Sequence, residues 1–256
     1  MNLTVESVKN YYEQWTEDYI SDFGDIFQAL QTANPQDLID YICEVAEIED
    51  GQKVIDAGCG IGGPAIRIAK NLDVQIEALN ISKKQLSIAE DNLRTADIVG
   101  KVNFVEEDFH KLEELYDRES FDRVLFLESL VHSNSPQLAI SAARAVLKKG
   151  GILYIKDLFE GPKDPENRGR VEYPISKINE QFALKIRHLG ETIQHLTESG
   201  FEIMSCQYPK VQANFDRGNR FTARHGIRLL PNQERPWEDK GFIFLSWIEI
   251  ICKRVY

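Results

Sequence analysis

The sequence predicts an α/β chain built on a doubly wound, mainly parallel sheet, and three observations carry that prediction. From Lys53 onward, short apolar runs alternate with amphipathic stretches. One of those runs passes through a glycine cluster directly into a helical pattern. The composition is that of an ordinary globular chain: 43% of the 256 residues are hydrophobic and 28% charged, which favours neither disorder nor a fibrous repeat. A chain of this length buries a substantial core, and we read residues 1–256 as one domain with embellishments.

Residues 1–47 show no strand-like alternation and read as a helical cap. Val8, Tyr12, Trp15 and Tyr19, at spacings of 4, 3 and 4, share one helical face. A second helix is expected to open at Asn34-Pro35, with Asn34 as cap and Pro35 in the first turn, and to run through Leu38, Ile39, Ile42 and Val45. The alternation then begins: KVIDA, PAIRIAKNL, VQIEALN, KKQLSIAEDNLRTAD, VNFVEED, FDRVLFLES, QLAISAARAVLKK and GILYIKDL. Strand and helix in turn imply right-handed crossovers and a sheet covered on both faces. Gly150-Gly151 reads as a break and Gly161–Gly169 as a polar loop. KINEQFALKIRHLGETIQHLTESG reads as one further helix, and FEIMSCQYP and GFIFLSWIEIICKR read as the last two strands. The roughly 30 residues between those strands, 210–240, exceed an ordinary connection and are read as an insertion covering an acceptor site.

Charge and cysteine usage exclude several classes. A net charge of -11 opposes binding to nucleic acid. The four cysteines, Cys43, Cys59, Cys206 and Cys252, are scattered without a C-x-x-C pair, so reduced and mostly buried thiols are expected, with no metal site. The opening MNLTVESVKN lacks a signal-peptide layout and no apolar run reaches the ~20 residues of a membrane span, so a cytosolic protein is expected.

The sharpest motif is VIDAGCGIGGPAIRIAK, residues 54–70, in which Gly58, Gly60 and Gly63 satisfy G-x-G-x-x-G between strand and helix. Glycines permit a tight turn and close approach of a ligand, and the free amides at the helix start favour a negative group. This pattern leaves NAD(P), FAD and S-adenosylmethionine open. Asp56 decides among them: two residues before the first glycine, its carboxylate repels a pyrophosphate and attracts a ligand bearing ammonium and sulfonium charges.

DAGCGIGG resembles the first motif of the class I, Rossmann-like S-adenosylmethionine-dependent methyltransferases, over roughly residues 50–160 with a weaker match to the closing strands. The resemblance implies a seven-stranded sheet whose last strand is antiparallel. It also implies that Asp56, Gly58 and Gly60 line the methionine portion of the cofactor, whose product is S-adenosylhomocysteine. Where this class usually carries an acid for the ribose hydroxyls, 24 residues beyond Asp56, this chain has Asn80. Asn80-Ile81-Ser82 with Gln85 is similar to the cyclopropane fatty acid synthase, sterol and prenyl diphosphate C-methyltransferase relatives, with Glu77 as a rival ribose ligand. Asp108 and Phe109 resemble the adenine clamp of the class, while Glu106, Glu107 and His110 read as solvated loop residues.

Glu128 and His132 stand at the carboxyl end of the fourth strand, where relatives place residues facing the methyl group. Either is a candidate catalytic base, and Glu128 is also a candidate cofactor ligand; the bland alternative is that Glu128 holds a helix end and His132 packs. Tyr12, Trp15 and Tyr19 are candidate acceptor contacts by analogy with an aromatic amino-terminal helix in relatives. Arg217, Arg220, Arg224 and Arg228, spaced 3, 4 and 4, form a basic stripe if helical, with Arg220 and Arg224 the candidate acceptor contacts and a solvated face as the alternative. The expected acceptor is a small, apolar metabolite, lipid-like or terpenoid and methylated on carbon. A natural product or amine methylated on oxygen or nitrogen is the runner-up, and an NAD(P)-dependent oxidoreductase or a non-catalytic nucleotide-binding protein the rival from another class.

Overall fold

The computed structural model describes residues 3–160, 168–223 and 245–256. Two helices come first: α1, Val5–Phe23, opened by a capping box between Thr4 and Ser7, and α2, Pro35–Val45, capped by Asn34 through its bond from the Gln36 amide. The predicted cap of α2 is therefore the observed one.

The alternating region follows as β1 (Lys53–Ala57), α3 (Gly63–Asn71), β2 (Gln75–Asn80), α4 (Lys83–Arg94), β3 (Lys101–Glu106), α5 (Leu112–Leu115), β4 (Phe121–Leu127), α6 (Pro136–Val146) and β5 (Leu147–Glu160). The carboxyl-terminal part gives α7 (Arg168–Gln181), β6 (Arg187–His188), α8 (Leu189–Glu198), β7 (Phe201–Gln207), α9 (Asp216–Ala223) and β8 (Leu245–Arg254). The sheet runs in the order β3-β2-β1-β4-β5-β8-β7, with β6 paired to β5 off that path. Strands β1 to β5 pair in parallel, and β8 is antiparallel to both β5 and β7. The sheet thus has eight strands rather than the expected seven; the extra one is the two-residue β6 against Phe159 and Glu160.

That short strand lies inside the run read as one helix over 177–200. The chain leaves α7 after Gln181, Ala183 takes φ 50, and the following amides of Lys185 and Ile186 bond to Val131 O and Asn179 Oδ1. Tertiary partners for the backbone outweigh local helix preference here. Gly150-Gly151 is likewise no break between elements. Both lie within β5, where the register with β4 shifts between Phe121 and Arg123 and Gly150 has φ 78.

Two apolar layers sandwich the sheet. On one face Val54, Ile76, Leu125, Tyr154 and Trp247 meet α1, α2 and α3; on the other Ile55, Val124, Phe126, Leu153 and Ile250 meet α6 and α8. Cys59 and Cys252 are buried, Cys43 is half-buried and Cys206 exposed, all as free thiols. No helix among the described residues is long and apolar enough to cross a membrane.

Candidate active site

The strand order reverses between β1 and β4, and ligands of open α/β sheets bind at that point, outside the carboxyl ends of the strands. β1 delivers the glycine turn there. The amides of Gly58 and Cys59 both donate to Leu79 O, and Gly62 donates to Cys59 O, folding the loop back onto the end of β2. Gly58 has φ 101, and a Cβ on it would stand 2.6 Å from that of Ser129, so this position admits glycine alone. Asp56 is buried with both carboxylate oxygens free of hydrogen bonds among the described residues. Burial pushes its pKa up to about 7. An orphaned buried carboxylate beside a backbone cradle fits a ligand that brings a cation.

At the end of β2, Asn80 donates from Nδ2 to Gly60 O at 2.9 Å and to Gln85 Oε1 at 2.7 Å, while its Oδ1 accepts from the Ser82 amide. Both amide protons are spent, so what Asn80 can offer a ribose diol is acceptance at Oδ1. Gln85 continues the chain to Thr16 Oγ1 of α1 at 3.3 Å, and Lys84 bonds Glu13 O and pairs with Glu17. Glu77 sits mid-strand, bonded by Asn103 and Tyr116 and paired in register with Ile55. It lines a separate cleft with Lys53, Gln75 and Glu113, at the opposite end of the strands. Its candidacy as a ribose ligand ends there.

Beyond β3, Asp108 accepts from the backbone and ring of His110. Burial works against its ionisation, but the hydrogen bonds from His110 outweigh it and hold the carboxyl below its usual range. Phe109 packs edge-on against Phe126 with ring centres 5.3 Å apart. His110 is not a solvated loop residue: its side chain is 8% exposed and its other nitrogen lies 2.7 Å from Ser133 Oγ.

Two cavities meet at the end of β4. The first is lined by Gly58, Gly60, Asn80, Ile81, Gln85, Asp108 and Phe109, together with Tyr12 and His132. These include every expected cofactor contact except Asp56, which lies beneath the loop, and Glu128. Sequence reasoning missed Val5, Val8, Leu79, Glu107, His110 and Ser129 in the same wall. Val5 and Val8 carry only the signal of the α1 apolar face, which does not announce a ligand. The second cavity is walled by Tyr19, Phe23, Phe27, Leu158, Phe182 and Phe221 among others. Among the described residues, His132 alone lines both cavities.

His132 Nδ1 lies 2.9 Å from Ala183 O, a pure acceptor, so Nδ1 carries the proton and Nε2 accepts from the Tyr12 hydroxyl at 2.7 Å. Burial pulls its pKa down to about 4, which keeps the imidazole neutral at physiological pH. Glu128 faces the second cavity rather than the first, with φ 56 and a carboxylate already engaged by Ala29 N at 2.7 Å, Leu30 N at 3.2 Å and Lys156 Nζ at 2.5 Å. Those donors lie on the segment between α1 and α2 and on β5, a connection without local sequence signal.

The remaining expected contacts divide. Tyr19 lines the second cavity; Trp15 packs half-buried against the core and lines neither. Within the insertion, α9 docks Phe221 on Tyr19 and Phe23, with centroids 4.4 and 5.4 Å apart. Arg217 donates to Phe23 O, Arg220 is exposed and lines neither cavity, and Arg224 and Arg228 lie outside the described residues. Among the described residues no three His, Cys, Asp or Glu side chains converge as metal ligands.

Fold and site define a nucleotide-cofactor enzyme of the doubly wound class, with a buried acid for a cationic ligand and a separate apolar chamber. A family model described as a methyltransferase domain matches residues 48–223, and the chain belongs to that family. It is 31% identical over 195 residues to the 27-O-demethylrifamycin SV methyltransferase of Amycolatopsis mediterranei, covering 75% of this chain and 70% of that one. Its fold is similar to the [4+2]-cyclase SpnF, with a TM-score of 0.77 and 21% identity over 98% and 96% of the two chains. It is also similar to the geranyl diphosphate C-methyltransferase of Streptomyces coelicolor A3(2), solved with Mg2+, geranyl diphosphate and S-adenosyl-L-homocysteine; there the TM-score is 0.65 and identity 15% over 86% and 80%. The chain is an S-adenosylmethionine-dependent methyltransferase. The oxidoreductase and non-catalytic alternatives are set aside.

Proposed function

We propose that the chain methylates a small, apolar metabolite held in the second cavity, with α9 of the 210–240 insertion forming part of its cover; residues 224–240 lie outside the described residues. The observation that carries this reading is the meeting of an aromatic chamber and the cofactor cavity at a single shared residue, His132. S-adenosylmethionine supplies a methyl group on a leaving group that is already activated. The protein has to align the acceptor and exclude water, for which apolar walls under α1 suffice. Asp56, Gly58, Gly60, Asn80, Ile81, Gln85, Asp108 and Phe109 hold the cofactor. The acceptor proton goes to the Tyr12 hydroxyl oxygen as Tyr12 passes its own proton to His132 Nε2, so His132 acts as base through Tyr12. Glu128, with three donors on its carboxylate, positions the segment bearing Ala29 and Leu30.

Carbon as the methylated atom is supported by the rings of Tyr19, Phe23, Phe27 and Phe221, whose faces stabilise cationic charge developing on an alkene. A protic oxygen or nitrogen is supported by the accepting Nε2 and by the rifamycin relative. The exposed Arg220 gives no support to a diphosphate acceptor in this chamber. A net charge of -11 argues against a nucleic-acid acceptor.

Incubation with methyl-labelled cofactor and panels of terpenoid, lipid and phenolic acceptors, followed by product analysis, tests both readings. Once turnover is found, His132→Ala should lower kcat by about 10²–10⁴-fold while S-adenosylhomocysteine binds within about threefold of the parent. Unchanged turnover removes His132 from the chemistry. Glu128→Gln should instead lower thermal stability together with activity, because it leaves Lys156 buried and uncompensated.

A further inference from the structure

Asp108, His110 and Ser133 form a chain of hydrogen bonds that runs back from the wall of the cofactor cavity. Asp108 Oδ1 accepts from the His110 amide at 3.0 Å and lies 2.5 Å from His110 Nδ1. His110 Nε2 lies 2.7 Å from Ser133 Oγ, on the turn after β4. Ser133 Oγ also accepts from the Ser135 amide at 3.0 Å, so its own proton goes to His110 Nε2, the acceptor within reach. The imidazole proton therefore sits on Nδ1 and is donated to Asp108. Ser133 is fully buried and touches neither cavity, which excludes reading the trio as a nucleophile with its base. Oδ1 of Asp108 thus carries two donors, while no described residue donates to Oδ2, and Asp108 lines the cavity.

We propose that His110, oriented by Ser133, is a positioning residue that fixes Asp108 with Oδ2 turned to the exocyclic amine of the cofactor, so that this chain sets selectivity for adenine over purines carrying a carbonyl there. The proposal rests on the reading of Asp108 as the adenine ligand. A carboxylate bound at one oxygen only presents the other in a fixed direction. A carbonyl in place of the amine then sets two acceptors face to face, a mismatch that built polar sites reject strongly.

The test is calorimetric titration of S-adenosylhomocysteine and S-inosylhomocysteine into the parent protein and the His110→Ala, His110→Asn and Ser133→Ala variants, with thermal unfolding of each. The parent should prefer the adenosyl ligand by about 100-fold. His110→Ala should shrink that preference about tenfold and Ser133→Ala about threefold, with the inosyl ligand changed by less than about threefold. His110→Asn, whose amide can replace Nδ1 as donor, should restore most of the preference. A preference undiminished in His110→Ala overturns the positioning role while leaving Asp108 as the adenine ligand. Equal loss of both ligands with a lowered Tm shows His110 only supporting the loop, and also overturns it. Equal binding of both ligands by the parent removes Asp108 from adenine recognition, and the proposal with it.

Discussion

Asp56 holds its carboxylate in the interior with no donor among the described residues, and the consequence for stability has a definite sign. With a pKa of about 7 in the fold against 3.8 as the ordinary value, the folded protein keeps a proton there that the unfolded chain has lost. The stability this contributes is fully present below about pH 4 and is lost as pH rises through about 7. Asp157 shifts in the same direction, by burial, although the Val131 and Leu158 amides hold its carboxylate. Asp56→Asn should therefore flatten the fall in Tm of the cofactor-free protein between about pH 5 and 8, leaving the part due to Asp157. The same variant should bind S-adenosylhomocysteine about 10–100-fold more weakly, since the ligand ammonium loses its counter-charge. Parallel Tm curves for parent and variant would show that Asp56 is already ionised in the fold. Asp56 is legible in the sequence because its environment is local, two residues from a glycine that the Ser129 side chain enforces. Glu128 is not, because the amides it holds lie 98 and 99 positions away.

Among elements, α1 and α9 make the roof of the second cavity. Phe221 is 2% exposed and packs at a tilt against Tyr19, Phe23 and Phe182, so Phe221→Ala should cost about 3 kcal/mol of folding stability, read by denaturant unfolding. It should also raise KM for the acceptor. A loss of stability well under about 1 kcal/mol would mean that α9 does not dock as described. The spacing of Val8, Tyr12 and Tyr19 identifies the buried face of α1, but not that Val8 and Tyr12 would meet the cofactor cavity while Tyr19 meets the other. Periodicity reports which side of a helix is covered, not by what. The same limit explains β6: the apolar pattern over 177–200 is continuous, and the break comes from backbone partners supplied by Val131 and Phe159. Trp15, an aromatic on the same face, packs half-buried against the core and lines neither cavity.

Across the whole molecule, the cofactor cavity is closed on one side by strand ends and on the other by Val5, Val8 and Tyr12, so the ligand joins the cap to the sheet. S-adenosylhomocysteine at about 100 times its Kd should add about 2.7 kcal/mol and raise Tm by about 5–10 °C in differential scanning calorimetry. A shift below about 2 °C at saturation would mean binding to a state without the closed cap. The doubly wound architecture and the cofactor loop were readable because the alternation of strand and helix and the glycine motif are both short-range. The acceptor chamber was not, because α1, α7, α9 and β8 contribute to it from distant parts of the chain. That same convergence governs how the protein is made. The apolar faces of α1 and α2 leave the ribosome ahead of the sheet they cover, and Tyr41 of α2 finds its partner in Glu249, on β8. At ~5–20 residues per second, those helices wait ~10–40 s before the last part of their docking surface, on β8, exists. The nascent chain is most exposed to aggregation and chaperone capture over that interval, and a cap synthesised separately and added to residues 48–256 should meet a finished surface instead.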